Sequence, residues 1–138
     1  MQKKILILFI LCSFSSNVFA AGSASTDTKS SYDQAVKIVK SAKKNEEKGK
    51  KDKAKSKYEK ALKLLIKSNK EKPNKADTLN YLGFTTRKLG DFEKAEKFYL
   101  QGLALKPNHI GINEYLGELY VATNRHNLAV ERLEVLKS

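Results

Sequence analysis

LNYLGFTTRKLGDFEKAEKFYLQGLALKP, residues 79–107, decides the fold. Its apolar residues recur at helical spacing on both sides of Gly90, and Pro107 closes the second run. The stretch therefore reads as two helices joined by a short turn. Parts of it return farther along the chain. Leu82-Gly83 comes back as Leu116-Gly117 and Ala95 as Ala129, each 34 residues later. One supersecondary unit recurring at a fixed period is the mark of a solenoid.

The same spacing runs outward in both directions from Ser31 onward, and no window shows the strict alternation of a half-buried strand. Punctuation falls at Gly49, Pro73, Gly90, Pro107 and the Asn124-Arg125-His126-Asn127 cluster. Those breaks cut the chain into six helices, hence three hairpins, and predict an all-α fold. Gly83 and Gly117 are expected where the second helix of a hairpin approaches the first closely, with Ala95 and Ala129 as their small counterparts. Tyr99 and Leu133 are expected to fill space between hairpins. Gly90 and Asn124 suit the left-handed backbone of the turns. Ser31 with Gln34 offers a capping box for the first helix, and Asn108 a cap for the fifth.

Leu79, Leu82, Gly83, Ala95, Tyr99 and Pro107, with the 34-residue period, resemble the tetratricopeptide repeat (TPR) family. Leu79 and Thr86 stand where that family often has tryptophan and tyrosine. The resemblance covers about Tyr32 to Leu136 and implies an α-solenoid of three hairpins, wound as a right-handed superhelix and working as a scaffold or adaptor. The repeats are expected at about 31–75, 76–109 and 110–138. The third keeps Leu116, Gly117, Tyr120 and Ala129 but lacks a closing proline, so it reads as a truncated copy. In the first, Gly49, Ala54, Tyr58 and Ala61 mirror Gly90, Ala95, Tyr99 and Gly102 at an offset of 41, and Ala35, Ile38 and Ala42 support its opening helix. The seven extra residues are two turns, which predicts a longer helix from Lys50 to about Asn69, projecting about 10 Å.

Lys3, Lys4, the apolar run Ile5 to Leu11 and the small residues Val18 and Ala20 form a secretory signal peptide over residues 1–20, cleaved after Ala20. Export to the periplasm or beyond is the expectation, and residues 21–30 are a polar, flexible leader. The apolar run is short of the roughly 20 residues of a membrane span. Cys12, the sole cysteine, leaves with the signal, so thiol chemistry and cysteine metal sites are excluded. No cofactor is expected.

By resemblance, a partner peptide or protein would lie in the groove lined by the first helices of the hairpins. That groove presents Val39, Lys40 and Lys43, then Asn80, Tyr81, Phe84 and Arg87, then Glu114, Tyr115 and Glu118, with Tyr81, Phe84 and Tyr115 as the expected anchors. At Val39, Lys43, Tyr81, Gly111 and Tyr115, where some family members grip a chaperone's carboxylate tail, only Lys43 is basic. That clamp is absent.

The charge, a formal +12, is segregated. Residues 29–75 hold 17 lysines against 6 acids, whereas residues 76–138 hold 8 of each sign. Lys53, Lys57, Lys60, Lys63, Lys67 and Lys70 make one stripe opposite Ala54, Tyr58, Ala61 and Leu65. Either the stripe is a solvated face, helped by Glu59 with Lys63 and Glu47 with Lys51, or it meets an anionic lipid, lipopolysaccharide or acidic protein. Lysine in place of arginine and sparse aromatics argue against nucleic acid. His109 and His126 flank one helix and stand about 20 Å apart, too far to share a metal or a substrate. With no metal motif, phosphate loop or nucleophile elbow, an enzyme is not expected. The final helix carries Val130, Leu133, Val135 and Leu136, more apolar surface than one face can bury. Leu133 and Leu136 are therefore expected to mediate homodimerisation or docking.

Overall fold

The computed structural model describes residues 29–138, so the signal segment and residues 21–28 of the leader lie outside the described residues. Six helices follow in order: α1 (Ser31–Glu47), α2 (Lys51–Glu71), α3 (Ala76–Lys88), α4 (Phe92–Leu105), α5 (Ile110–Ala122) and α6 (His126–Lys137). There is no strand among the described residues. Each helix packs on the next, and α3 also touches α1 and α5, whereas α2, α4 and α6 do not touch one another. Odd helices close together and even helices spread apart bend the stack, so α1, α3 and α5 line its inner side.

Turn chemistry sets the hairpins. Gly49 (φ 69°) and Gly90 (φ 94°) close α1 and α3 in the left-handed region, and Asn124 (φ 58°) does the same for α5. Asn74 (φ 59°), just after Pro73, adds a fourth left-handed residue in the α2–α3 connection. Two caps differ from the sequence expectation. Ser30, not Ser31, caps α1: its Oγ accepts the Asp33 amide at 3.1 Å, while Gln34 Nε2 donates to the Lys29 carbonyl. His109, not Asn108, caps α5, its Nδ1 accepting the Ile112 amide at 3.2 Å. A ring nitrogen two bonds from Cβ reaches the third amide as an aspartate oxygen does, which residue-type preference alone does not reveal.

α2 runs 21 residues against 14 for α4, the two-turn excess that the offset of 41 implies. Its Ala54, Tyr58, Ala61, Leu65 and Ser68 are buried at three- and four-residue spacing. The core falls into three patches along the stack. Val39, Ala42, Tyr58 and Phe84 join the first hairpin to α3. Ala35, Leu65, Leu79 and Leu82 lie beside them. Tyr99, Ile112, Leu116 and Leu119 join α4 to α5.

The two helical glycines singled out by the period are not equivalent. A Cβ on Gly83 would stand 2.6 Å from Cδ1 of the fully buried Tyr99, so only hydrogen fits. A Cβ on Gly117 would meet nothing nearer than Arg132 Cβ at 3.5 Å, an ordinary contact. Close approach at Gly117, expected from the repeat, is therefore not found. Leu133 replaces Tyr99 there and stays 47% exposed. The looseness is confined to the second helix of the last hairpin: α5 buries five residues, whereas no residue of α6 is buried.

Candidate protein-binding groove

The inner helices bring most of the expected groove residues together. With offsets of 41 and 34, Lys43, Phe84 and Glu118 form one row across α1, α3 and α5, Lys40, Tyr81 and Tyr115 a second, and Val39, Asn80 and Glu114 a third. Phe84 departs from its expected role as an anchor. At 3% exposure it belongs to the core, its ring 4.8 Å from Tyr115 and 6.0 Å from Tyr58 between centroids. Lys43, Arg87 and Lys88 cover what remains, at 5.4, 5.8 and 5.8 Å from the ring centre. Asn80 and Val39 are buried as well, and a Cβ on Gly111 would come within 2.8 Å of Asn80 Nδ2. The side chains left for a ligand are Lys40, Lys43, Tyr81, Glu114, Tyr115 and Glu118, with the guanidinium of Arg87 among them.

Tyr81 and Tyr115 are half-buried. Tyr81 stands edge-on to Tyr32 at 5.8 Å, and burial raises the phenol pKa of both Tyr81 and Tyr115. Both hydroxyls stay protonated and available as donors at neutral pH. Arg87 pairs with Glu118 at 2.6 Å and stacks 5.8 Å from both the Phe84 and Tyr115 centroids. Its planar, always-charged head can face two rings and a carboxylate together, which lysine cannot.

Glu46, Tyr58 and Lys88 form a polar clasp that sequence reasoning missed. Tyr58 Oη and Lys88 Nζ each donate to one Glu46 oxygen at 2.9 Å, joining α1, α2 and the end of α3. Burial alone would raise the Glu46 pKa. The Lys88 and Tyr58 hydrogen bonds outweigh it and hold the carboxyl below its ordinary value. Two further joints escaped the periodicity. His109 Nε2 lies 2.9 Å from Asp77, tying α5 to α3. Asn113, fully buried, donates to the Pro107 and His109 carbonyls and accepts from Arg132 at 3.3 Å. Such side-chain joints recur at no fixed offset, so a repeat period does not point to them.

On α2, Lys53, Lys60, Lys63, Lys67 and Lys70 are exposed. Lys57 leaves the expected stripe, turning towards α1 to donate to Ser41 Oγ at 2.5 Å. Lys67 pairs with Glu71 at 3.7 Å. The expected Glu59–Lys63 and Glu47–Lys51 pairs do not form among the described residues, whose ion pairs lie elsewhere. Among those residues no helix is long and apolar enough to cross a membrane, and no three His, Cys, Asp or Glu side chains gather for a metal.

The Tetratricopeptide repeat family model matches residues 45–108, from the last turn of α1 to just past α4. Residues 45–108 thus match tetratricopeptide repeats, and the fold is that of a tetratricopeptide-repeat protein. A structure of MamA, the RS-1 ArsTM double mutant, is similar in fold, with a TM-score of 0.55 at 23% identity over 75% of this chain. The chain spans about 55% of that protein's length. No curated protein matches it. Tetratricopeptide repeats account for the small residues at Gly83 and Ala95 and for the aromatic at Tyr99. They also support a general scaffold role in binding other proteins.

Proposed function

We propose that this chain is an exported scaffold of the cell envelope that holds a partner peptide or protein against α1, α3 and α5. The observation that carries the reading is the pair Tyr81 and Tyr115: half-buried, adjacent along the inner side, and backed by the closed core under Phe84. Rings already fixed by packing add contact area at little entropic cost on binding. The export half rests on the signal-like segment before Ala21. Affinity capture from the periplasmic fraction, read by mass spectrometry, tests both halves. A partner held by the wild type and released by the double variant Tyr81→Ala/Tyr115→Ala is expected. A partner that both proteins retain equally rules out the groove, and native protein that keeps Met1 rules out export. A second copy of the chain is the proposed partner for the exposed leucines of α6.

The lysines of α2 support a second reading, contact with an anionic surface, because Lys53, Lys60, Lys63 and Lys70 are exposed and have no ion-pair partner among the described residues. Binding to vesicles rich in anionic lipid should then fall steeply with salt and vanish when Lys53, Lys60, Lys63 and Lys70 are all changed to Gln. Salt-independent binding excludes it.

A further inference from the structure

The groove is electrically lopsided from one edge to the other. α1 contributes Lys40 and Lys43, both exposed and without an ion-pair partner among the described residues. The acid nearest them in sequence on that helix, Glu46, is already held by Lys88 and Tyr58. On α3, Arg87 is paired with Glu118 and Lys88 with Glu46, which leaves Asp77, beside the His109 ring, as its one acid. α5 contributes Glu114, exposed and unpaired among the described residues, while the charge of Glu118 is matched by Arg87. On α1, Asp33 and Glu47 are the acids without an ion-pair partner among the described residues, against Lys37, Lys40, Lys43 and Lys44.

We propose that the groove selects a peptide segment by charge polarity, acidic at the end over α1 and basic at the end over α5. The proposal rests on the groove reading above. Neighbouring helices lie about 8–10 Å apart, so the path from α1 to α5 is about 20 Å. An extended chain rises about 3.3 Å per residue, so about six residues separate the acidic from the basic block. Between them the ligand crosses Tyr81 and Tyr115, which accept uncharged side chains. A uniformly acidic segment meets Glu114, and a uniformly basic one meets Lys40 and Lys43. Like-charge juxtaposition disfavours both.

Two fluorescent peptides of one composition provide the test: one with three acidic residues, six small uncharged residues and three basic residues in blocks, the other with the same charges alternating. Anisotropy should show the segregated peptide binding at least about tenfold tighter, since several exposed pairs of modest strength act together. Lys40→Glu/Lys43→Glu should remove that preference by leaving both edges acidic. Adding Glu114→Lys should restore it, because the peptide can turn around. Circular dichroism of each variant checks that it folds. Equal affinity for the two peptides, failure of Glu114→Lys to restore the preference, or no binding by the segregated peptide overturns the proposal. Loss of both peptides in Tyr81→Ala/Tyr115→Ala, with equal wild-type affinities, leaves the groove standing without its polarity. Segregated binding untouched by that variant places the ligand elsewhere and removes the groove itself.

Discussion

The ring of Tyr99 occupies the space that a side chain at position 83 would need, 2.6 Å from the ideal Cβ position to its Cδ1. Because Tyr99 is fully buried, its ring cannot swing aside. Gly83→Ala should lower stability by about 1–3 kcal/mol, the usual effect of overpacking. Gly117→Ala should act in the opposite sense and raise it by about 0.5–1 kcal/mol, since a mid-helix alanine is favoured where the new methyl fits. Urea denaturation of both variants checks the contrast. Equal destabilisation by the two would mean that the last hairpin is as tight as the middle one.

His109 joins two helices through both ring nitrogens, capping α5 with Nδ1 and meeting Asp77 with Nε2. With Nδ1 accepting an amide, the proton sits on Nε2 and points at the carboxylate. His109→Ala removes cap and strut together and should cost about 1–2 kcal/mol. His109→Asn should recover the cap and part of that loss. Amide exchange at the first turn of α5 measures the effect directly, and unchanged protection there would contradict the joint.

The clasp on Glu46 has a pH signature. A carboxyl whose folded pKa is depressed stabilises the fold above its unfolded value, near 4.5, and that contribution is lost as pH falls through the folded value. Glu46→Gln should therefore be less stable than wild type at pH 7, and the gap should narrow as pH falls below the ordinary carboxyl value of 4.5. The carboxylate is part-exposed, so the gap is modest and shrinks with salt. Denaturation midpoints at pH 7 and pH 3 decide it. A gap constant across that range would assign the clasp no ionic component.

α6 ends the described stack with Val130, Leu133 and Leu136 at 55, 47 and 38% exposure, beside a groove of about 360 Å³ shared with α5. In the preceding repeat the corresponding face, around Tyr99 and Gly102, is covered by Ile112 of α5. With its own face open, α6 should self-associate as concentration rises, and Leu136→Glu should abolish this. Light scattering reads the outcome. A wild type monomeric at every concentration, with α6 fully protected from exchange, would remove the interface.

The helices, their pairing and the long α2 were legible because each depends on spacing along one chain segment. Leu82, Gly83 and Ala95 carry a period, and a period is one-dimensional. The groove was only partly legible. Phe84 and Tyr115 are both aromatics on inner helices, yet Phe84 is roofed by Lys43, Arg87 and Lys88 whereas Tyr115 is left half-open. That difference arises from long cationic side chains on two helices meeting over one ring, which sequence distance conceals. Gly117 was misjudged for the same reason. Its partner position holds Leu133, and a repeat alignment records that a residue is present without recording that it stands off.

The seven-residue excess of α2 over α4 carries a consequence for how such a chain can change length. Seven residues bring a helix back to within about 20° of its starting direction, so Ala54 and Leu65 face inward on either side of the added block. An insertion of five would rotate everything beyond it by about 140° and turn Leu65 towards solvent. Arm length in this architecture is thus quantised: insertions and deletions near a heptad pass without repacking, while those of intermediate size meet the whole cost of a misaligned core. Trimming α2 by one heptad is the engineering step that this rule permits.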